Sequence, residues 1–548
     1  MKTPGIISIL ATALLASAAQ AAQPLRPDSR LSVAGAAPSL MSMARSQAPQ
    51  QRAAHRVLPR HLLTPNLKAA APAGLARGAA PASALQTGGA VSPAVYSSVL
   101  INQDGIASND LFAPPDPNGA VGDTQYVQWV NVRFAIYDKK TGALLLGPVP
   151  GNTVFAGMTG SPGAEACANG DGSDPIIQYD KQAKRWIHTL IAWDPANFYT
   201  GPYYQCIAVS TSADATGSYY RYTWDIRDAD GQPVLPDYPK LGVWPDAFYF
   251  TWVLFPPIAQ DGYLGPRACG VERAALLAGK APSVGCKDFG TAYGPILPSD
   301  LDGTIAPPAG SPNYLLSLDY NADGSGDHMF MWRLSLSSGT VSDAITIPVA
   351  PFTIACPNEF GGPCIPQPAP GDALDALGDR LMYRLAYRNF GDREALVANH
   401  SVQQPGAPAD GPVGVRWYEL RNLRSTPGVY QQGTWAPDAN SRWMASIAMD
   451  KMGNIALGYS VSGPALFPGV RYTGRLRSEA LGRLEPEALI VNGTGVQVDT
   501  GNRWGDYSSM SIDPNGDCTF WTTQEYIART GVATWRTRIA DFSFRNCR

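Results

Sequence analysis

Six residues, spread over most of the chain, have side chains suited to proton transfer or to binding a charged ligand. Three are aspartates and three are arginines, each in a short polar segment before an apolar run: Asp116, Asp174, Asp237, Arg380, Arg442 and Arg503. A carboxyl group can donate or accept a proton during a reaction. A guanidinium group stays charged at ordinary pH and offers a carboxylate a planar fork of donors. If the fold brings them together, the six form a site with acids on one side and cations on the other.

Neighbouring residues extend both halves of this predicted site. The residues we predict to be catalytic are acids and tyrosines: Asp116, Asp174, Asp237, Tyr238, Asp506 and Tyr507. The residues we predict to bind substrate are Arg380, Arg442, Arg503, Trp443, Trp504 and Asn118. Two alternatives stay open, because Arg-Trp pairs also brace neighbouring sheets through cation–π contacts and aspartates also cap turns.

A separate loop has the pattern of a calcium site. Its oxygen-bearing side chains recur at alternate positions around a turn glycine: Asp319, Asn321, Asp323 and Asp327. Calcium prefers such oxygen ligands. The twelfth position is Phe330 instead of the glutamate of an EF-hand, so a plain polar hairpin is the alternative. We expect a structural Ca²⁺ at most and no required cofactor.

The elements that carry these residues are predicted to be short β-strands. Val130, Val132, Phe134 and Ile136 alternate with other residues, which is the period of a half-buried strand. Turn residues follow, and the pattern of strand, Asp-led turn and second strand recurs. One aspartate marks each recurrence: Asp123, Asp180, Asp246, Asp319, Asp379, Asp450 and Asp513. The six intervals between them span 390 residues, so the period is about 65 residues.

A quasi-period of this length in an all-β chain indicates radial repetition. We predict a seven-bladed β-propeller of four-stranded antiparallel blades over residues 98–548. Strands near residues 99–102 and 534–544 should share the closing blade. Loops at one end of the central channel then gather the acids and arginines. The structural alternative is two stacked β domains of about 220 residues each.

Scattered features of this region resemble the sialidase-like propellers. An arginine triad, acidic residues and a tyrosine are typical of that family, and residues 212–217, followed by Trp224, resemble a degenerate Asp-box turn. The departures are a single poor copy of the box and a predicted count of seven blades where sialidases usually have six. The segments DPNGAVG, DYPKLGVWPD and RWGDYSSMSIDP are similar to those of large secreted bacterial propeller proteins, a likeness that implies no particular activity.

The N-terminal residues are typical of an exported protein. Lys2, an apolar stretch at 6–19 and the small residues around Gln20 predict a signal peptide over residues 1–21. Residues 22–97 are rich in Ala, Pro and Arg, and we predict a disordered leader because this composition buries little apolar surface. A pro-segment or a basic tether to an anionic cell surface are its functional alternatives.

Export places the cysteines in an oxidising compartment, where an even number favours disulfides. Closeness in sequence and elimination predict four pairs: Cys269–Cys286, Cys356–Cys364, Cys518–Cys547 and Cys167–Cys206. We expect a secreted or periplasmic protein with no membrane span.

The charge balance argues against nucleic acid as a partner, because the formal net charge is −3. Within the family resemblance, the predicted function is a carbohydrate-active propeller, a glycoside hydrolase or lyase acting on an acidic glycan through its arginines. The alternative from another class is a non-catalytic binding or adhesion propeller that recognises a glycan or protein. We expect a monomer in either case.

Overall fold

The structure of the chain is a computed structural model that describes residues 22–46, 56–57, 84–86, 99–108, 112–170 and 172–547. The signal peptide predicted at residues 1–21 lies outside the described residues. The fold is predominantly β with several sheets, which confirms the all-β prediction. None of the helices in the described ranges is long and apolar enough to cross a membrane.

The described strands form three four-stranded sheets, two five-stranded sheets, one eleven-stranded sheet and two two-stranded ladders. The four-stranded sheets are Asn118–Val121, Gln125–Val130, Arg133–Asp138 and Leu144–Pro150; Ser441–Met449, Ile455–Gly463, Leu466–Arg475 and Ala488–Val491; and Ser509–Ile512, Thr519–Ile527, Trp535–Ser543 and Asn102–Ala107. The five-stranded sheets are Ser173–Asp180, Arg185–Trp193, Tyr203–Ser210, Tyr219–Asp225 and Leu31–Ala36; and Leu235–Val243, Ala247–Phe255, Gly265–Glu272, Val284–Asp288 and Arg26–Pro27.

The eleven-stranded sheet consists of two groups of strands, antiparallel within each group except that Ala84–Gln86 pairs parallel with Gly428–Trp435. The first contains Ile296–Asp302, Asn313–Asp319, Ser325–Ser335, Thr340–Val341, Ile345–Thr353 and Gln23–Pro24. The second contains Leu385–Asn389, Glu394–Gln403, Val413–Arg421, Gly428–Trp435 and Ala84–Gln86. A parallel pairing of Ile296–Asp302 with Leu385–Asn389 joins the two groups.

Short elements connect these sheets. The ladders are Pro363–Ile365 with Leu374–Asp375 and Arg56–Val57 with Phe112–Ala113. The α-helices are Leu40–Ser46, Pro162–Asn169 and Arg273–Leu277, and the 3₁₀-helices are Gly151–Phe155, Pro195–Asn197 and Pro357–Glu359.

Seven strands, which we call the inner strands, lie side by side and position the candidate site. They are Asn118–Val121, Ser173–Asp180, Leu235–Val243, Ile296–Asp302, Leu385–Asn389, Ser441–Met449 and Ser509–Ile512. Each contacts the next in this order, and the last contacts the first. Ser509 joins the two ends of this series, because its Oγ accepts from Gly119 N at 2.8 Å and donates to Gly119 O at 3.0 Å. Nearly every residue of the inner strands is buried.

The two ends of the described β-region share one sheet. Asn102–Ala107 pairs antiparallel with Trp535–Ser543, as the sequence predicted for strands from the two termini. The Cys518–Cys547 disulfide closes the same region, and the other three predicted pairs are also present, which accounts for all eight cysteines. Four disulfides indicate an oxidising environment.

In residues 22–46 the structure differs from the predicted disordered leader. Leu31–Ala36 pairs with Tyr219–Asp225, Arg26–Pro27 with Val284–Asp288, and Gln23–Pro24 with Thr340–Val341. Leu40 is fully buried beyond these strands. The physical reason is that exposed sheet edges carry unpaired backbone groups, which composition alone does not reveal. The remainder of the leader lies outside the described residues apart from the short strands at 56–57 and 84–86.

Candidate functional site

Local backbone irregularities direct side chains of the inner strands toward one place. Asp116, Asp174, Tyr238, Met444 and Asp506 have positive φ values between 48° and 59°. At three of them, Asp174, Tyr238 and Met444, the pairing register with the following strand shifts by a bulge. Bulges re-aim side chains beside functional sites, and left-handed non-glycine residues cost free energy that is usually retained for function.

Asp174, Tyr238 and Asp506 line a pocket of about 620 Å³, counted out to its open mouth, whereas Asp116 and Met444 are not among its lining residues. Its polar lining is Ser173, Asp174, Asp237, Tyr238, Arg380, Arg503 and Asp506. Its apolar wall is Ile191, Trp193, Phe198, Leu235, Ile258 and Leu377. The pocket therefore combines three aromatic rings with three carboxyl groups and two guanidinium groups.

Both pocket arginines already have carboxylate partners. Arg380 donates from Nε and Nη2 to the two carboxylate oxygens of Asp379, at 2.7 and 3.1 Å. Arg503 pairs with Asp506 and lies 3.4 Å from Asp375. The Nε of Arg503 is buried and has no hydrogen-bond partner. The guanidinium charges at this pocket are thus largely neutralised by the protein.

Three acids at the same place lack such a partner. Among the described residues, no Lys or Arg nitrogen lies within 4.0 Å of the carboxylates of Asp116, Asp174 or Asp237. Asp116 is 1% exposed, and neither of its carboxylate oxygens has a hydrogen-bond partner. Asp174 accepts from the backbone N of Tyr238 at 3.1 Å.

Burial and mutual repulsion shift the titration of these acids. Burial, and next the charge of Asp237, raise the pKa of Asp174 to about 6. Burial, followed by the charges of Asp506 and Asp174, raises the pKa of Asp116 well above its usual value. Burial also raises the pKa of Asp237 and Asp506, although nearby arginines oppose the change. The acids therefore hold protons at pH values where ordinary aspartates are ionised.

Lys240 lies beneath the pocket and was given no role by the sequence. Its Nζ is 3.4 Å from the ring centroid of Tyr238 and 3.9 Å from that of Tyr507, and it donates to Pro239 O at 2.8 Å. Lys240 is 1% exposed, and burial lowers its pKa to about 7. The only signal in the sequence is a lysine inside an otherwise apolar strand.

The two tyrosines form part of the floor. Tyr238 lines the pocket, and its hydroxyl is buried without a partner, whereas the hydroxyl of Tyr507 donates to Pro175 O at 3.0 Å. Burial raises the pKa of both hydroxyls. The tyrosines are consequently protonated at neutral pH, which disfavours the nucleophile role and leaves that of a proton donor.

Below this floor, a buried polar network fills the space between inner strands. Gln178 Nε2 donates to Asp300 at 2.9 Å and also contacts the Tyr383 hydroxyl. Arg384 pairs with Asp300 at 2.5 Å and donates to Met510 O at 2.8 Å. The network links four inner-strand segments.

Four predicted substrate-binding residues lie elsewhere than expected. Arg442 pairs with Asp438 and, at 2.8 Å, with Glu487, and is only 2% exposed. Trp443 and Trp504 are fully buried against each other, with ring centroids 5.4 Å apart. None of the three lines the pocket, so they brace sheets, which is the alternative that the sequence left open.

Asn118 also has a structural contact in place of the predicted binding role. Its Oδ1 accepts from the backbone N of Ile177 at 2.9 Å, and the residue is completely buried. It therefore ties two neighbouring inner strands together. The amide lies too deep in the sheet to meet a ligand in the pocket.

The predicted calcium loop is a hairpin with internal partners. The predicted ligands Asp319, Asn321, Asp323 and Asp327 all lie on it. His328 lies 2.8 Å from Asp319 and 2.7 Å from Asp327, and Asp323 accepts from the backbone N of Ser325 at 2.9 Å. Within the described part of the chain, no group of three or more His, Cys, Asp or Glu side chains is arranged to hold a metal ion. Calcium binding stays a prediction.

Comparison with known proteins gives distant structural similarity only. No family model matches the chain, and no curated protein matches it. A Hadza microbial sialidase is similar with a TM-score of 0.36 at 10% identity, over 76% of this chain and 73% of that one. The exo-β-1,3-galactanase 1,3Gal43A from Clostridium thermocellum is similar with a TM-score of 0.31 at 10% identity, over 82% and 86%. The N-terminal domain of Nup159 is similar with a TM-score of 0.33 at 8% identity, over 84% and 100%. The proposed function of this protein therefore rests on its own side chains.

Proposed function

We propose that the chain is a seven-bladed propeller whose pocket hydrolyses a glycosidic bond. The cyclic contacts of the seven inner strands support the blade count, since each inner strand begins one antiparallel group of strands. In this proposal residues 98–548 form one domain of an exported protein. The signal pattern and the four disulfides support the export.

The observation that carries the proposed reaction is that two carboxyl groups of one pocket differ in their charged partners, because Asp506 pairs with Arg503 and Asp174 has no such pair. Glycoside hydrolysis commonly needs one protonated carboxylic acid, which gives a proton to the glycosidic oxygen, and one carboxylate, which acts as nucleophile or base. Asp174, with a pKa of about 6, is suited to the acid role near neutral pH. Asp506 is suited to the carboxylate role, because its ion pair with Arg503 stabilises the ionised form against the effect of burial, which raises its pKa.

The pocket wall supports a sugar as the ligand. Trp193, Phe198 and Tyr238 provide apolar ring faces beside the polar groups, a combination typical of ligand pockets. The expected acidic substrate has less support than the hydrolase itself, because Arg380 and Arg503 have carboxylate partners within the protein.

The test is a screen of neutral, acidic and amine-bearing polysaccharides for release of reducing ends. We expect the wild type to degrade one class and Asp174→Asn to lose at least a hundredfold in rate, in line with the loss of a general acid. The control is Asp261→Asn, because Asp261 is an exposed acid outside the pocket. Saccharide binding without bond cleavage by the wild type would instead establish the binding module. Equal rates for wild type and Asp174→Asn would refute the assignment of the acid.

A further inference from the structure

The titratable groups at and beside the pocket that lack an ion-pair partner are carboxyl groups. Asp116, Asp174 and Asp237 have no guanidinium or ammonium group within 4.0 Å in the described part of the chain, whereas Arg380 and Arg503 do have carboxylates. Lys240 is the remaining nearby cation, and its ammonium group lies against the ring faces of Tyr238 and Tyr507. The pocket is therefore short of positive charge.

Orphaned polar atoms show that a partner fits here. In the pocket lining, the hydroxyl of Tyr238 and the Oδ1 oxygen of Asp506 are buried without a hydrogen bond. Buried polar atoms are nearly always paired in folded proteins, so such a cluster calls for a ligand or ordered water. An ammonium group would supply three donors to these acceptors.

The aromatic wall suits the same kind of group. A cation is attracted to the face of an aromatic ring, and Tyr238 already has the Arg380 guanidinium 4.5 Å from its ring centroid. Trp193 and Phe198 line the mouth of the pocket. A protonated amine that enters between these rings stays beside aromatic faces until it reaches the carboxyl groups that lack an ion-pair partner.

We propose that the pocket selects a glycan residue bearing a protonated amine, held by Asp237, the pocket acid that the proposed hydrolysis does not use, and by the hydroxyl of Tyr238. This inference rests on the proposed function, whose substrate class it names. It replaces the acidic glycan by an amino sugar with a free amine. Asp174 and Asp506 remain the groups that act on the glycosidic bond.

The groups facing the bound amine also determine how binding depends on pH. Asp174, Asp237 and Asp506 line the pocket around it, and Asp116 interacts with Asp174 and Asp506 from outside the lining. Arg380, Arg503 and Lys240 are the nearby cations. A cation in the pocket favours the ionised acids, so they release protons on binding. Affinity for an amine ligand should consequently rise as pH increases from about 5 to about 7.

The experiment measures calorimetric binding of three trisaccharides to the full protein. They are a glucosamine trisaccharide, its fully N-acetylated counterpart and trigalacturonate, which differ in charge. We expect the glucosamine trisaccharide to bind at least tenfold more tightly than the other two, with affinity rising from pH 5 to 7. Asp237→Asn should lose at least tenfold for the amine ligand alone, and Tyr238→Phe, which removes only the hydroxyl, provides a second variant if the first unfolds. Asp261→Asn should bind like the wild type.

Each other outcome decides against the inference. Equal or tighter binding of the N-acetylated ligand, preference for trigalacturonate, or no binding of any trisaccharide overturns it. Cleavage of a neutral or acidic polysaccharide in the screen above would support the proposed hydrolase and contradict the preference for an amine. Absence of all cleavage refutes the hydrolase separately from the binding result.

Discussion

Replacing Asp174 by asparagine should change how the stability of the protein depends on pH. The folded-state pKa of Asp174 is about 6, and an unfolded aspartate titrates near pH 4. Because the folded-state value is the higher one, the folded state binds the proton more tightly. The stability from this group is therefore present below pH 4 and is lost as pH rises through 6. Two pH units correspond to roughly 3 kcal/mol.

Asparagine does not titrate and keeps an oxygen that can accept from the backbone N of Tyr238, so the substitution removes this dependence. Urea unfolding at pH 4.5 and pH 7.5 gives the free energies needed. Relative to the wild type, Asp174→Asn should become more stable by roughly 2 kcal/mol between the two pH values, because part of the effect has already occurred by pH 4.5. Asp261→Asn should show no such change, because that side chain is exposed. An Asp174→Asn difference that is the same at both pH values would show that Asp174 is not held in a buried acidic cluster.

Three further substitutions test the surroundings of the pocket by thermal or urea unfolding. Arg442→Met should cost about 3 to 5 kcal/mol of stability, because it leaves Glu487 buried without its cationic partner. Saccharide binding by the folded variant should persist. Loss of binding would show that Arg442 belongs to the binding site. Replacing both Cys518 and Cys547 by serine should cost about 3 kcal/mol, because the bridge closes a loop of 29 residues, and an unchanged midpoint would contradict this. Leu40→Ala should cost about 2 to 5 kcal/mol, since this leader residue is fully buried; no loss would mean that the leader does not pack on the sheets.

Much of the fold could be predicted because it depends on local patterns. Period-two alternation and Asp-led turns locate strands such as Ser173–Asp180 and its neighbour Arg185–Trp193. Closeness in sequence was enough for the disulfides. The pairing of the two chain ends followed from the need to cover sheet edges, which any repeated β architecture shares.

The candidate site could be predicted in part for the same reason. Segments that precede equivalent strands meet at one end of a ring, and this brought Asp116, Asp174 and Asp237 near Arg380 and Arg503. The partner that each charge takes depends on packing across the ring. Arg442 pairs with Glu487, 45 residues later, and the local sequence around neither residue indicates this pairing.

The leader and the buried lysine show the same limit. Composition predicts disorder for residues 22–46, but the edges that order these residues belong to strands far along the chain. Lys240 stands in an apolar strand, where its depth depends on Tyr507, a residue from a distant segment. Both features depend on tertiary partners that a one-dimensional pattern does not specify.

The central claim is that distant segments assemble one charged pocket, and the pair Arg503–Asp375, 128 residues apart, tests it most directly. The measurement is a double-mutant cycle of unfolding free energies with Arg503→Met and Asp375→Asn, beside the exposed pair Arg26–Asp288 as a control. The structure predicts a favourable coupling of about 1 to 3 kcal/mol for the pocket pair and at most about 1 kcal/mol for the exposed pair. Additive losses at Arg503 and Asp375 would contradict the claim, because two residues that do not meet cannot be coupled.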